Sequence, residues 1–112
     1  MDYFKLDDYL DKLVQTDDLV WFTKERADDV RDFFSKLGES VDVGYPLAGP
    51  NEEEQTLEIV WRKNDVSVIV ELYANGIYDC FYNIPDDIKS YIDCRIEEEF
   101  NEEILGWIKE TI

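Results

Sequence analysis

Carboxylate pairs are the chemistry this sequence offers in quantity. Asp7/Asp11, Asp28/Asp32 and Glu98/Glu102 each stand four residues apart, a spacing that places both side chains on one face of a helix. Such a pair could divide acid and base roles if one carboxyl lay in an apolar pocket that raised its pKa. None of these pairs has that setting in the sequence, since each is surrounded by further acidic residues. Glu58 and Glu71 differ. They are expected to face each other on neighbouring strands, where like charges are destabilising. Either both reach solvent or a basic partner compensates them.

Other chemistries are thinly represented. The chain contains no histidine, which removes imidazole general bases, Ser/His and Cys/His nucleophiles, and zinc sites that use His. Cys80 and Cys94 lack metal-ligand spacing. A bond between them needs Cα atoms within about 7 Å, so two free thiols in a reducing compartment are expected. No stretch supplies the alternating oxygen ligands and central glycine of a calcium loop. The five glycines form neither a phosphate loop nor a dinucleotide fingerprint. The eleven Lys and Arg residues are dispersed, which argues against a nucleic-acid-binding groove. The reading is a protein that is not an enzyme and uses no cofactor or metal.

What remains is the acidity. A chain of 112 residues with 45% hydrophobic content forms one domain, 1–112, with its own core. Its net charge of −17 repels nucleic acid and anionic membranes and steers basic partners toward it. No signal-peptide pattern or bilayer-length apolar run is present, so a cytoplasmic location is the expectation.

The elements that must position Glu58 and Glu71 form a three-stranded antiparallel meander over about 56–62, 66–73 and 77–83. Thr56 to Arg62 alternates apolar and polar residues, Val66 to Tyr73 is rich in β-branched side chains, and Ile77 to Tyr82 alternates again. Asn64-Asp65 and Asn75-Gly76 read as two-residue turns, the second as type I′. The first turn pairs Leu57 with Leu72, Ile59 with Val70 and Trp61 with Val68. The second pairs Ala74 with Ile77, Leu72 with Asp79, Val70 with Phe81 and Val68 with Asn83. The core face would then hold Leu57, Ile59, Trp61, Val68, Val70, Leu72 and Phe81, with Asp79 as a misfit. The outer face would carry Val60/Ile69/Tyr82, Glu58/Glu71/Cys80 and Thr56/Tyr73/Tyr78 in rows, a surface of tyrosines rimmed by carboxylates.

Helices flank this sheet. The first is expected over Tyr3 to Gln15, from apolar residues at helical spacing. Leu19 to Phe22 is a buried connector or a short extra strand. Thr23 reads as an N-cap for a second helix through Leu37, with Ala27, Val30, Phe33, Phe34 and Leu37 inward and Gly38 left-handed at its end. Val41, Val43 and Tyr45 suggest an extended or edge segment, followed by a solvated turn over Gly49 to Glu54. Isoleucines at Ile88, Ile92, Ile96, Ile104, Ile108 and Ile112, with Phe100 in the same four-residue series, predict a C-terminal helix or broken helix pair over about 86–111, kinked near Phe100-Asn101. The fold class is α+β, with helices on one face of an antiparallel sheet.

Small size, high acidity and missing catalytic residues together resemble phage- or plasmid-encoded inhibitors, including DNA-mimic anti-restriction proteins and anti-CRISPR proteins. They are also similar to immunity proteins that neutralise basic nuclease toxins. The strand Leu57-Glu58-Ile59-Val60-Trp61 with the Asn75-Gly76-Ile77 turn looks like small prokaryotic proteins bearing a Leu-Glu-x-Trp strand and a Gly-Ile turn, although Ile59-Val60 adds a residue to that pattern. The resemblance implies an inhibitor whose partner is a basic nuclease, CRISPR effector or toxin. Asp28, Asp29 and Asp32 on the second helix and Glu97, Glu98, Glu99, Glu102 and Glu103 near the C-terminus would stand in for phosphates. Glu58, Glu71, Tyr73, Tyr78 and Tyr82 would contribute the sheet face. The alternatives are an immunity protein with one dedicated toxin, and an accessory domain that self-associates through its tyrosines.

Overall fold

The structure is a computed structural model and describes residues 5–112. Tyr3 and Phe4, read above as the start of the first helix, lie outside that range. In chain order the elements are α1 (Leu6–Gln15), α2 (Lys24–Gly38), β1 (Leu47–Asn51), β2 (Thr56–Lys63), β3 (Val66–Leu72), β4 (Ile77–Ile84), β5 (Asp87–Arg95) and α3 (Glu102–Glu110). The architecture is α+β, with one antiparallel sheet of five strands in sequence order.

The β2–β3 pairing follows the expected register, with Leu57 opposite Leu72, Ile59 opposite Val70, Trp61 opposite Val68 and Glu58 opposite Glu71. The β3–β4 pairing does not. Val70 faces Cys80, Val68 faces Tyr82 and Leu72 faces Tyr78, one residue away from expectation. The cause is the turn. Its loop is Ala74-Asn75-Gly76, with Asn75 at φ 64° and Gly76 at φ 71°, and it closes with the Tyr73 N–H donating to the Ile77 carbonyl at 2.8 Å. A third loop residue shifts the register by one, and because side chains alternate, all of β4 turns over. Tyr78, Cys80 and Tyr82 therefore enter the core, whereas Asp79 and Phe81 face outward.

The sheet also has two strands that the sequence pattern concealed. Asp87–Arg95, expected as helix, is β5. Pro85-Asp86 form a two-residue turn between paired Ile84 and Asp87, and Asp86 adopts φ 66°. Proline followed by a positive φ is the pattern of a type II turn. The four-residue isoleucine spacing misled because side chains four apart share a face in both a strand and a helix. Ile88 and Ile92 are consequently exposed, at 67% and 64%. Near Asp93, which has φ 56°, a bulge breaks the pairing with β4, and the chain then returns to bury Ile96. At the other edge β1 starts after Pro46, and Gly49 and Pro50, expected in a turn, are strand residues. Proline is tolerated on an edge strand because its missing donor leaves no ladder bond unmade there.

The helices follow their apolar spacing. Thr23 caps α2 by accepting the Arg26 N–H, and Ala27, Val30, Phe33, Phe34 and Leu37 are buried as expected. Gly38 is the last helical residue and does not take a positive φ; the Ser40 and Val41 N–H groups close on the Leu37 carbonyl instead. Leu19 to Phe22 is a connector that buries Leu19 and Phe22 and sets Trp21 under the Arg26 guanidinium, 5.1 Å from its ring. Asn101 caps α3, so a helix starts where the sequence placed a new cap, but a strand and an irregular segment precede it and the expected helix pair is a single short helix.

The helices pack on one face of the sheet. Phe33 of α2 packs edge-on against Tyr78, and Phe34 lies against Trp61, whose indole donates to the Val43 carbonyl at 2.7 Å. Trp107 of α3 stacks on Tyr82 at 5.0 Å and lies 5.5 Å from Tyr91. Two hydroxyls fasten the same helix, Tyr82 to Glu110 at 2.6 Å and Tyr91 to Glu103. α1 packs against α2, and its Tyr9 hydroxyl donates to the Ala48 carbonyl of β1 at 3.1 Å. Among the described residues, no helix lies on the opposite face of the sheet.

Candidate functional site

On that bare face, alternation along three strands aligns three carboxylates. Glu58 of β2 pairs with Glu71 of β3, and Glu71 pairs with Asp79 of β4. Neighbouring strands are about 4.8 Å apart, so the row spans roughly 10 Å. Each member is held by a neighbouring donor. The Asn51 amide donates to Glu58 at 3.2 Å, the Tyr73 hydroxyl to Glu71 at 2.9 Å, and the Asp93 N–H to Asp79 at 2.9 Å. Partial burial raises the pKa of Glu71, the proximity and charge of Glu58 and the charge of Asp79 raise it further, and the Tyr73 hydrogen bond opposes them. The Tyr73 hydroxyl is itself pushed well above its ordinary value by burial and by its carboxylate partner.

Beside the acidic row runs an apolar one, Leu47–Val60–Ile69–Phe81, ending at Ser90 of β5. Leu47 is 72% exposed, and Val60, Ile69 and Phe81 are half-buried.

The remaining expected contacts divide into separate groups. Asp28 joins Asp7 and Asp11 around one guanidinium: Arg31 reaches them at 3.1, 2.7 and 3.2 Å, fixing three carboxylates on the α1–α2 surface. Asp29 and Asp32 line a half-open cleft of about 330 Å³ with Lys36, Asn75, Gly76, Arg95, Ile96 and Glu97. Burial raises the pKa of Asp29, and its bond to the Gly76 backbone opposes the rise. Glu97, Glu98 and Glu99 lie in the exposed segment between β5 and α3, not on a helix. Glu102 and Glu103 occupy the first turn of α3, where the helix dipole favours negative charge. Lys36 reaches across to the Ile96 carbonyl at 2.9 Å and to that of Glu98, tying this segment to α2.

Tyr78 and Tyr82 are not on any surface. They are 2% and 7% exposed, in the core, because of the one-residue shift in β4. Of the expected tyrosines, Tyr73 alone stands beside the carboxylate row. Asp79 and Phe81 take the outer places instead. The sequence carried a signal for this, since the expected register left Asp79 as a charged misfit inside.

No family model matches the chain, and neither a curated protein nor a solved structure does. Among the described residues, no group of His, Cys, Asp and Glu is placed to hold a metal ion, and no helix is long and apolar enough to cross a membrane. The site offers fixed acceptors for cationic donors beside a strip of apolar side chains.

Proposed function

We propose that this chain is a non-catalytic acidic inhibitor that binds the basic, nucleic-acid-binding surface of a defence nuclease or related complex, as anti-CRISPR and DNA-mimic proteins do. The observation that supports this reading is the row Glu58–Glu71–Asp79, three carboxylates aligned at a cost in mutual repulsion and each held by a donor. One charge per roughly 4.8 Å across the strands is comparable to one phosphate per roughly 3.4 Å along each strand of a duplex. A groove built for phosphates would meet a similar line of charge here. Asp29, Asp32 and Glu97 form a separate acidic group near the β3–β4 turn, in a cleft they share with Lys36 and Arg95, while Asp28 is held in the Arg31 cluster. The fixed geometry lowers the ordering cost of binding.

The test is capture of partners from a prokaryotic lysate by the immobilised protein, with salt raised stepwise and with duplex DNA or guide RNA as competitor. The expected result is a nucleic-acid-binding protein that is displaced by both. An interaction indifferent to several hundred millimolar salt refutes the reading. A partner displaced by salt but not by nucleic acid favours a dedicated toxin and an immunity role.

A further inference from the structure

We infer that the bare face of the sheet is a docking surface for a cationic amphipathic segment of a partner protein, its apolar side chains seated on Val60, Ile69 and Phe81 and its Lys or Arg residues along Glu58, Glu71 and Asp79. The inference rests on the reading that the partner is basic, and it adds where and through what contacts the partner binds.

Two adjacent rows carry the argument. The apolar row crosses all the strands, from Leu47 on β1 through Val60, Ile69 and Phe81 to the β5 edge, where Ile88 and Ile92 flank Ser90. Five strands in sequence order make four inter-strand steps of about 4.8 Å, roughly 19 Å in all, the length of about 13 residues of helix. Among the described residues no helix covers this strip; Val60, Ile69 and Phe81 are half-buried, and Leu47, Ile88 and Ile92 about its ends are among the most exposed large apolar side chains described. A partly exposed apolar strip bordered by polar residues is the character of an interaction surface.

The acidic row chooses the occupant. It borders the strip along β2, β3 and β4, so a segment lying on the apolar side chains brings one flank over three carboxylates. That flank must be cationic, because an uncompensated or like charge there is repelled. A second copy of the chain brings another −17 to the same face, and an anionic bilayer meets the same repulsion.

The probe is a labelled 14-residue helix-forming peptide with leucines on one face and lysines along one flank. One control has glutamates for the lysines; another keeps the lysines and has serines for the leucines. Binding to the purified full chain is read by fluorescence anisotropy at 150 mM salt, with circular dichroism verifying each variant's fold. The leucine–lysine peptide is expected to bind, and both controls to bind at least about tenfold more weakly. Phe81→Ala should weaken it by about tenfold or more. The combination Glu58→Gln, Glu71→Gln and Asp79→Asn should weaken it similarly and flatten its salt dependence. Asp17→Asn with Asp18→Asn, which removes two exposed charges elsewhere, should change it by less than about twofold.

The inference is overturned if Phe81→Ala or the row variant behaves like Asp17→Asn with Asp18→Asn, or if the control with serines for the leucines binds as well as the amphipathic peptide. It is also overturned if sedimentation shows a dimer that Ile69→Ser dissociates, since a second copy then covers the face. These outcomes separate from the functional reading. Variants that still bind the peptide, beside a captured nuclease that DNA displaces, remove the docking site and leave the inhibitor. Lost peptide binding, beside a captured partner indifferent to DNA, does the reverse.

Discussion

Replacing Glu71 by glutamine should make the protein more stable at neutral pH, which is unusual for a residue with a satisfied hydrogen bond. The side chain keeps its shape, and its amide oxygen can still accept from the Tyr73 hydroxyl, now 2.9 Å away. What disappears is a negative charge set between Glu58 and Asp79 on adjoining strands. Like charges directly across a sheet cost a few tenths to about 1 kcal/mol each. Relief of two such contacts should contribute about 1 kcal/mol, or a rise in Tm of about 4 °C for a domain of this size. The pH dependence identifies the cause. Glu71 has its pKa raised above the ordinary value of 4.5, so between that value and the folded one the native chain holds the proton more tightly than the unfolded chain. Wild-type stability therefore falls as pH rises through that window, and the advantage of the variant should grow there and vanish below about pH 4. Thermal melts of the two proteins from pH 3 to pH 8 measure the difference. No gain at pH 7, or a gain that persists unchanged at pH 3, refutes the account of the carboxylate row as a strained arrangement.

Other expectations follow from particular contacts. Tyr78→Ala should cost about 3–5 kcal/mol in urea unfolding, as for other large buried aromatics, and Phe81→Ala less than about 1 kcal/mol; the opposite order would mean that β4 has the register with Phe81 inside. Arg31→Gln should lower stability by about 1 kcal/mol at low salt by releasing Asp7, Asp11 and Asp28 to repel one another, and by much less in 1 M salt. Burial pushes the Cys80 thiol up to about 12, so alkylation at pH 8 in the native protein should be slower than in the unfolded chain by more than about a thousandfold. Rapid labelling of Cys80 without unfolding would contradict its place in the core.

The parts of the fold legible in the sequence were those where one physical rule acted alone. Apolar spacing and a threonine cap defined α2 to the residue inward, and strict alternation with a two-residue turn set the β2–β3 register. The β3–β4 turn failed because Asn75-Gly76 suits both a two-residue loop and the end of a three-residue one, and nothing local chooses between them. Asp79 favoured the longer loop, since the shorter one buried a charge. β5 was hidden because isoleucines at four-residue steps fit either periodicity, and Pro85-Asp86 suits a helix start as well as a type II turn. Glu58, Glu71, Tyr73, Val60 and Ile69 of the candidate site are legible in the β2–β3 pairing. Asp79 and Phe81 are not, because they turn outward only with the shifted register of β4.

The joint between α3 and the sheet has a chemical consequence of its own. Its two hydroxyl-to-carboxylate bonds, Tyr82 to Glu110 and Tyr91 to Glu103, exist only while each phenol keeps its proton, and the bonds raise both pKa values. The folded chain therefore retains these protons after an unfolded one would begin to lose them near pH 10, and the stabilisation drains away as alkalinity increases from there. Past that point each phenolate confronts a carboxylate, and the clasp becomes a spring. Base should peel α3 from the sheet while α2, whose inner face is hydrocarbon and phenyl rings, stays seated.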